Sequence, residues 1–93
     1  MKTALVTGTS TGIGLETTIE LARAGYRVYA GMRNVSRDGN LRDALRNSKL
    51  DVTILPLDVL SDESLYTALG EIHKAGPIDI LVNNAGIGGA APL

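Results

Sequence analysis

Short β-branched runs alternate along the chain with longer segments of helical periodicity. Four apolar runs predict strands, at residues 3–7, 27–31, 52–57 and 79–83. Segments with apolar residues at helical spacing predict helices at residues 13–24, at residues 41–47 and between Ser61 and Gly76. This alternation is typical of βαβ units, in which right-handed crossovers join parallel strands. We therefore predict one α/β domain over residues 1–93, a Rossmann-type three-layer αβα fold with strand order 3-2-1-4.

Local signals refine this arrangement. Gly25 is placed to end the first helix in the left-handed conformation, and Ser61 is placed to cap the third. Pro56 cannot donate to a β ladder, which puts the third strand at a sheet edge. The fourth strand leaves an open apolar edge, so we expect the chain alone to be marginally stable or to self-associate there.

Composition excludes several classes of function. The 93 residues are 44% hydrophobic and 20% charged, with no cysteine and one histidine. A disulfide scaffold, a thiol nucleophile and a multi-histidine metal site are thus excluded, and no metal site is predicted. No apolar run approaches the length of a membrane span and no signal-peptide core is present, so we expect a soluble cytoplasmic protein without a membrane partner. Residues 1–50 carry eight basic and four acidic side chains, whereas residues 51–93 carry one basic and six acidic side chains.

The most informative segment is the glycine-rich loop where the first strand turns into a helix. Gly8 permits a tight turn, and Gly12 and Gly14 allow backbone N–H groups to approach a ligand closely. A helix N-terminus behind such a loop is a site for a pyrophosphate. The loop hydroxyls can add donors, those of Thr9, Ser10 and Thr11. The alternative is a turn that only packs the helix against the strand.

Arg33 lies at the end of the second strand, 19 positions after Gly14. A dinucleotide fold that prefers NAD is expected to place an acid there for the ribose. An arginine instead binds a 2′-phosphate through charge-assisted hydrogen bonds, which favours NADP, with NAD still possible. The alternative is a solvated surface arginine. Arg37 and Arg42 are close enough in sequence to add positive potential, although an exposed helix face explains them more simply.

Polar residues also follow the third and fourth strands. Asp58 is placed to accept a hydrogen bond from an adenine amino group, or else only shapes the turn into the next helix. After the fourth strand, the run Asn83-Asn84-Ala85-Gly86 can bond the backbone where the ladder ends and admit a sugar or ring.

Together these motifs resemble the short-chain dehydrogenase/reductase family. The matches are Gly-x-x-x-Gly-x-Gly at residues 8–14, Asp58-Val59, and the Asn-Asn-Ala-Gly run at residues 83–86. The resemblance implies an oxidoreductase that moves hydride between a nicotinamide cofactor and a small-molecule carbonyl or alcohol. It further implies that the pyrophosphate is bound by Gly8, Gly12 and Gly14 with Ser10 and Ile13. Adenine would contact Asp58 and Val59, and the ribose would contact Asn84 with Ala85 and Gly86. The 2′-phosphate would be bound by Arg33. Residues 28–34 are similar to members that act on steroids or retinoids.

The family's Tyr-x-x-x-Lys pair, which moves the proton, is absent from this sequence. Tyrosines stand at positions 26, 29 and 66, and none has a lysine four residues later. We therefore assign no catalytic residue, and we expect His73 to be solvated. The chain looks like the amino-terminal cofactor-binding portion of a longer enzyme that forms a homo-oligomer when complete. The alternative is a non-catalytic dinucleotide-binding module or regulatory fragment.

Two other classes fit less well. A methyltransferase that uses S-adenosylmethionine is expected to have an acid where this chain has Arg33. Nucleic-acid binding is not predicted, because Asp38 and Asp43 interrupt the basic stretch, no aromatic platform accompanies it and the net charge is −1.

Overall fold

The computed structural model describes residues 1–84, which form a parallel four-stranded sheet with helices on both faces. Strands and helices alternate along the chain: β1 (Thr3–Thr7), α1 (Gly12–Arg23), β2 (Arg27–Met32), α2 (Gly39–Leu45), β3 (Val52–Pro56), α3 (Asp62–His73) and β4 (Ile80–Val82). A single 3₁₀ turn, Val35–Arg37, lies between β2 and α2. The strand order β3-β2-β1-β4 confirms the predicted topology.

The strand register brings the carboxyl ends of all four strands to one edge of the sheet. In β1, Thr7 pairs with Gly31 of β2 on one side and Val6 pairs with Val82 of β4 on the other. The chain runs outward from β1 through β2 to β3 and then returns to β4 on the opposite side of β1. In such sheets, ligands bind at the carboxyl ends where the strand order reverses. Here that point lies between β1 and β4.

Side chains of β1 alternate between two aliphatic core layers. Ala4 and Val6 face α1, whereas Leu5 faces α3. The first layer continues through buried residues of the neighbouring elements: Ile19, Ala22, Val28, Ala30, Met32 and Leu41. The second layer consists of Leu5, Leu55, Leu57, Ala68 and Ile72. Each large aliphatic side chain buried in this way contributes about 1.5–3 kcal/mol, and together the two layers confirm the three-layer arrangement.

The local signals for helix ends are confirmed, and the boundaries differ most at α2. Gly25 has a φ of +97°, and Ser61 accepts a hydrogen bond from the Ser64 backbone N–H at 3.2 Å. Helix α2 occupies Gly39–Leu45 instead of residues 41–47 because the chain leaves the helical conformation before Asn47, which has a φ of +60°. The helical pattern at residues 41–47 places Ala44 on the same face as Leu41 and Leu45, but Ala44 is exposed, whereas Leu41 is buried.

The two sheet edges differ in character. At one edge, β3 ends in the predicted Pro56. At the other, β4 has no further strand beside it among residues 1–84, and its Leu81 side chain is 62% exposed. Leu5, the register partner of Leu81 on β1, is only 2% exposed. Helix α3 therefore covers the centre of the sheet and leaves β4 uncovered. No helix within residues 1–84 has the length and apolar character needed to cross a membrane.

Candidate functional site

The glycine loop between β1 and α1 uses its glycines for different purposes. Gly8 and Gly12 have φ values of +67° and +63°, a region that disfavours side chains. A Cβ at Gly14 would lie 2.0 Å from the Gly8 carbonyl oxygen, whereas one at Gly12 would meet nothing within 4 Å. Gly14 thus lets α1 pack tightly on the loop, and Gly12 borders open space. The loop therefore combines close helix packing at Gly14 with an open face at Gly12.

The N-terminus of α1 lacks the capping groups that close the N-terminus of α3. The N-cap residue of α1, Thr11, accepts no side-chain capping hydrogen bond, and the first turn contains no acid. In α3, by contrast, Ser61 caps the helix and the first turn contains Asp62 and Glu63. The N–H groups and the positive dipole end of α1 are therefore left for an anion from outside the helix.

Thr9 corrects one expectation about the loop hydroxyls. Its side chain is fully buried, and its hydroxyl donates to the Gly31 carbonyl oxygen at 3.2 Å. The Thr9 backbone N–H donates to the same oxygen at 3.3 Å. Thr9 therefore ties the loop to β2 and does not offer its hydroxyl to a ligand, contrary to the prediction. Ser10 is half-buried and Thr11 is exposed, so their side chains remain accessible.

A hydrogen-bond network joins the end of β1 to the end of β4. The Thr7 hydroxyl accepts from the Asn84 backbone N–H at 2.9 Å and donates to Asn83 Oδ1 at 3.1 Å. Asn84 Nδ2 donates to the Gly8 carbonyl oxygen at 3.3 Å. The Asn84 side chain thus bonds to the backbone where the ladder ends, as expected, whereas the Asn83 side chain bonds to the Thr7 hydroxyl. Both contacts hold the loop in place. The ribose contact of Asn84 stays a prediction, and those of Ala85 and Gly86 lie outside the described residues.

The residues after β3 shape a turn. Asp58 Oδ1 accepts from the Leu60 backbone N–H at 3.0 Å, and the Asp58 N–H donates to Ser64 Oγ at 2.8 Å. Val59 is half-buried and packs against the core layer under α3. Asp58 therefore shapes the turn into α3, as the alternative expectation has it. The adenine contacts of Asp58 and Val59 stay predictions.

A cleft at the end of β2 contains the predicted phosphate-binding arginine. It has a volume of about 360 Å³ and is lined by Ser10, Arg33, Asn34 and Arg37. Arg37, for which an exposed helix face is the simpler expectation from the sequence, lies on the 3₁₀ turn and lines this cleft. The spacing Asn34-x-Ser36 is the signal for the turn, since Asn34 Oδ1 accepts from the Ser36 backbone N–H at 3.0 Å.

Metal and acid–base chemistry find no support among residues 1–84. In that part of the chain, no group of three or more His, Asp or Glu side chains is placed to hold a metal ion. His73 is exposed at the carboxyl end of α3, where the chain returns towards the start of β4. The prediction that His73 is solvated is confirmed. The uncapped start of α1 and the cleft at Arg33 suit a polar, anionic molecule.

Comparisons with known proteins agree on one family. A family model described as short chain dehydrogenase matches residues 2–93. Retinol dehydrogenase 8 of Bos taurus is 43% identical over 96 residues, covering 99% of this chain and 30% of that protein. Gluconate 5-dehydrogenase of Gluconobacter oxydans (strain 621H) is 38% identical over 91 residues, covering 97% of this chain and 36% of that protein.

Solved structures show the same likeness. An actinorhodin polyketide ketoreductase variant, crystallised with NADPH, superposes with a TM-score of 0.83 at 34% identity, covering 91% of this chain and 33% of that one. Menthone neomenthol reductase from Mentha piperita gives 0.82 at 34% identity, with coverage of 91% and 31%. The chain spans about a third of the length of each of these relatives.

Proposed function

Because the chain belongs to the short-chain dehydrogenase family, we propose that it binds a nicotinamide dinucleotide, with NADP preferred over NAD. In the whole protein this binding would serve an oxidoreductase that acts on a carbonyl or alcohol. Bound nicotinamide would supply or accept the hydride. The residues of this chain bind and orient the cofactor, and none of them is assigned to proton transfer.

The start of α1 suits the pyrophosphate. Its N–H groups lack a side-chain cap, and no acid in the first turn repels an anion. Gly12 borders open space, so a phosphate can approach the backbone there. Ser10, accessible at the loop, can add a hydroxyl donor, and the exposed Ile13 borders the same approach.

The Arg33 cleft carries the preference for NADP. Arg33 is exposed at the carboxyl end of β2 and has no carboxylate partner within residues 1–84. Ser10 of the glycine loop lines the same cleft, so the cleft adjoins the proposed pyrophosphate site. A 2′-phosphate would neutralise this arginine, whereas the 2′-hydroxyl of NAD would leave it without a counter-charge. The NADPH in the ketoreductase crystal supports this preference.

The adenosine would lie along the same carboxyl edge of the sheet. Asp58 uses Oδ1 for its turn, and Oδ2 makes no hydrogen bond within residues 1–84, so Oδ2 is free to accept from the adenine amino group. Val59 would contact the ring, and Asn84 with Ala85 and Gly86 would border the ribose. The retinol and gluconate dehydrogenases act, by name, on different alcohols.

A non-catalytic dinucleotide-binding module is the second candidate function. It is supported by the same observations as the first candidate, the uncapped start of α1 and the cleft at Arg33. Both candidates require the same cofactor site and differ only in whether hydride transfer follows binding. Oxidation of NADPH by the whole protein in the presence of carbonyl compounds would separate them.

Calorimetric titration of the chain with NADPH, NADH and S-adenosylmethionine tests the cofactor proposal. We expect NADPH to bind more tightly than NADH, and S-adenosylmethionine to give no heat. Arg33→Ala should weaken NADPH binding by about 10–100-fold, as expected for loss of a charge-assisted hydrogen bond, and should leave NADH binding unchanged. Arg23→Ala is the matched control, because Arg23 is equally exposed but pairs with Glu20 near the other end of α1.

Three outcomes would contradict the proposal. Equal or tighter binding of NADH by the unmodified chain would remove the preference for NADP. Binding of S-adenosylmethionine in place of both nicotinamide cofactors would point to methyl transfer. An equal loss of NADPH affinity in the Arg23 and Arg33 variants would mean that the phosphate is attracted by overall charge and not by the cleft.

A further inference from the structure

The arginines of this chain differ in whether a carboxylate neutralises them. Four of them form ion pairs with acidic side chains: Arg23, Arg27, Arg42 and Arg46. Arg33 and Arg37 make no side-chain ion pair or hydrogen bond within residues 1–84, and both line the 360 Å³ cleft. Two like charges in one cleft repel each other, and a bound anion would relieve that repulsion.

The carboxylate nearest to Arg37 in sequence is already used. Asp38 forms its ion pair with Arg42 one helical turn further on, so it does not neutralise the arginine beside it. Arg37 also lines an adjoining cleft of about 410 Å³ with Ser10, Thr11, Gly39 and Asn40. Arg37 therefore stands between the glycine loop and the start of α2, with its charge uncompensated.

The 3₁₀ turn brings Arg37 back to Arg33. Asn34 Oδ1 accepts from Ser36 N–H at 3.0 Å and from Ser36 Oγ at 2.6 Å, and the Arg37 N–H donates to the Asn34 carbonyl oxygen at 3.0 Å. Four residues of extended chain would span about 13 Å. The turn shortens this path, so two arginines four positions apart line the same cleft.

We infer, on the basis of the NADP binding proposed above, that Arg37 is a second specificity-determining residue for the 2′-phosphate and that Asn34 is its positioning residue. A phosphate presents several acceptor oxygens, so two guanidinium groups can each donate to it. A single exposed ion pair is weakened by solvent. Two arginines on one phosphate would therefore discriminate between NADP and NAD where one alone would do so only modestly.

The test measures the ratio of dissociation constants for NADH and NADPH in four variants. Arg37→Ala should weaken NADPH binding by about tenfold, in the range of one charge-assisted contact, and leave NADH unchanged. Arg37→Lys should recover part of the loss, since lysine keeps the charge but not the planar fork. Asn34→Ala should lower the same ratio by a smaller factor. Arg46→Ala is the matched control, because Arg46 is exposed and pairs with Asp43 on α2.

Binding of a cofactor fragment isolates the contribution of the 2′-phosphate. The nucleotide 2′,5′-ADP contains the 2′-phosphate and lacks the nicotinamide, and ADP is its counterpart without that phosphate. Arg37→Ala should weaken 2′,5′-ADP and leave ADP unchanged, and 0.5 M salt should reduce the difference between the two ligands in the unmodified chain.

The possible failures are distinguishable. If the unmodified chain prefers NADPH and Arg33→Ala removes that preference, but Arg37→Ala behaves like Arg46→Ala, the role of Arg37 is refuted and the proposed function stands. If Arg37→Ala weakens NADH as much as NADPH, its effect is structural and the inference is overturned. If the unmodified chain shows no preference or binds neither cofactor, the proposed function fails and the inference fails with it.

Discussion

Replacing Gly14 by alanine tests whether α1 depends on close packing against the glycine loop. The added Cβ would lie 2.0 Å from the Gly8 carbonyl oxygen and 2.7 Å from Asn84 Nδ2. Those two atoms are hydrogen-bonded to each other at 3.3 Å, so neither can move away without weakening the junction of β1 and β4.

The size of the effect follows from three contributions. Overpacking in a rigid contact costs about 1–3 kcal/mol, and loss of the Asn84–Gly8 hydrogen bond costs about 0.5–1.5 kcal/mol. The higher helix propensity of alanine returns at most about 1 kcal/mol. We therefore expect the free energy of unfolding to fall by about 2.5 kcal/mol, which lowers Tm by about 10–20 °C in a domain of this size.

Gly70→Ala is the matched control. Gly70 lies inside α3, and a Cβ there would meet nothing within 4 Å. The same chemical change should therefore raise the free energy of unfolding by about 0.5–1 kcal/mol. Gly70→Ala also provides a stabilised background in which Gly14→Ala can be measured if the unmodified chain is only marginally stable.

Urea unfolding followed by far-UV circular dichroism measures both changes. The midpoint urea concentration should fall for Gly14→Ala and rise for Gly70→Ala, with a similar slope for each. A Gly14→Ala midpoint equal to or above that of the unmodified chain would refute the reasoning. It would mean that α1 can move away from the loop at little cost.

Three further predictions concern other contacts. Thr7→Val should lower the free energy of unfolding by about 1–3 kcal/mol because the Asn84 N–H loses its acceptor; Thr7→Ser keeps the hydroxyl, and equal urea midpoints for the two variants would show that the network is dispensable. Ser61→Ala should lower the free energy of unfolding by about 1 kcal/mol through loss of the α3 cap, whereas Ser61→Asp should retain it. A thermal melt in which both variants match the unmodified chain would contradict the capping role. Leu81→Lys should reduce self-association through β4, measured by sedimentation velocity; a stable monomer with a cooperative melt before the substitution would argue against association.

The fold was largely predictable because the spacing of hydrophobic residues along the chain determines its main features. The alternating runs and the position of Pro56 were sufficient for the strand order and for the edge location of β3. The turn-forming residues at positions 34–40 predict a turn but not its 3₁₀ form, and the bounds of α2 were not predicted. The form of the turn and these bounds depend on single local events, the hydrogen bonds of Asn34 and the left-handed conformation of Asn47, which a hydrophobic pattern does not report.

The candidate site was predictable where a residue's position in the motif decides its surroundings. The glycine loop and Arg33 lie at strand ends, and the strand order alone brings them together. Thr9 was misassigned because its hydrogen-bond acceptor, the Gly31 carbonyl, is 22 residues away and is found only when β1 and β2 pair. Arg37 and Arg42 look alike in sequence, and only the ion pair with Asp38 separates them.

The unlike edges of the sheet limit how copies of this chain could assemble. Open-ended growth of a fibre needs two different surfaces, each of which captures the next subunit. Within residues 1–84, β4 has no strand on its outer side and exposes Leu81, while Pro56 removes a donor from β3, whose Thr53 and Pro56 are exposed. Pairing of β4 with β4 of a second copy would use the same surface on both partners and leave only β3 edges outside. Such contact would end at a closed pair and would not nucleate a filament.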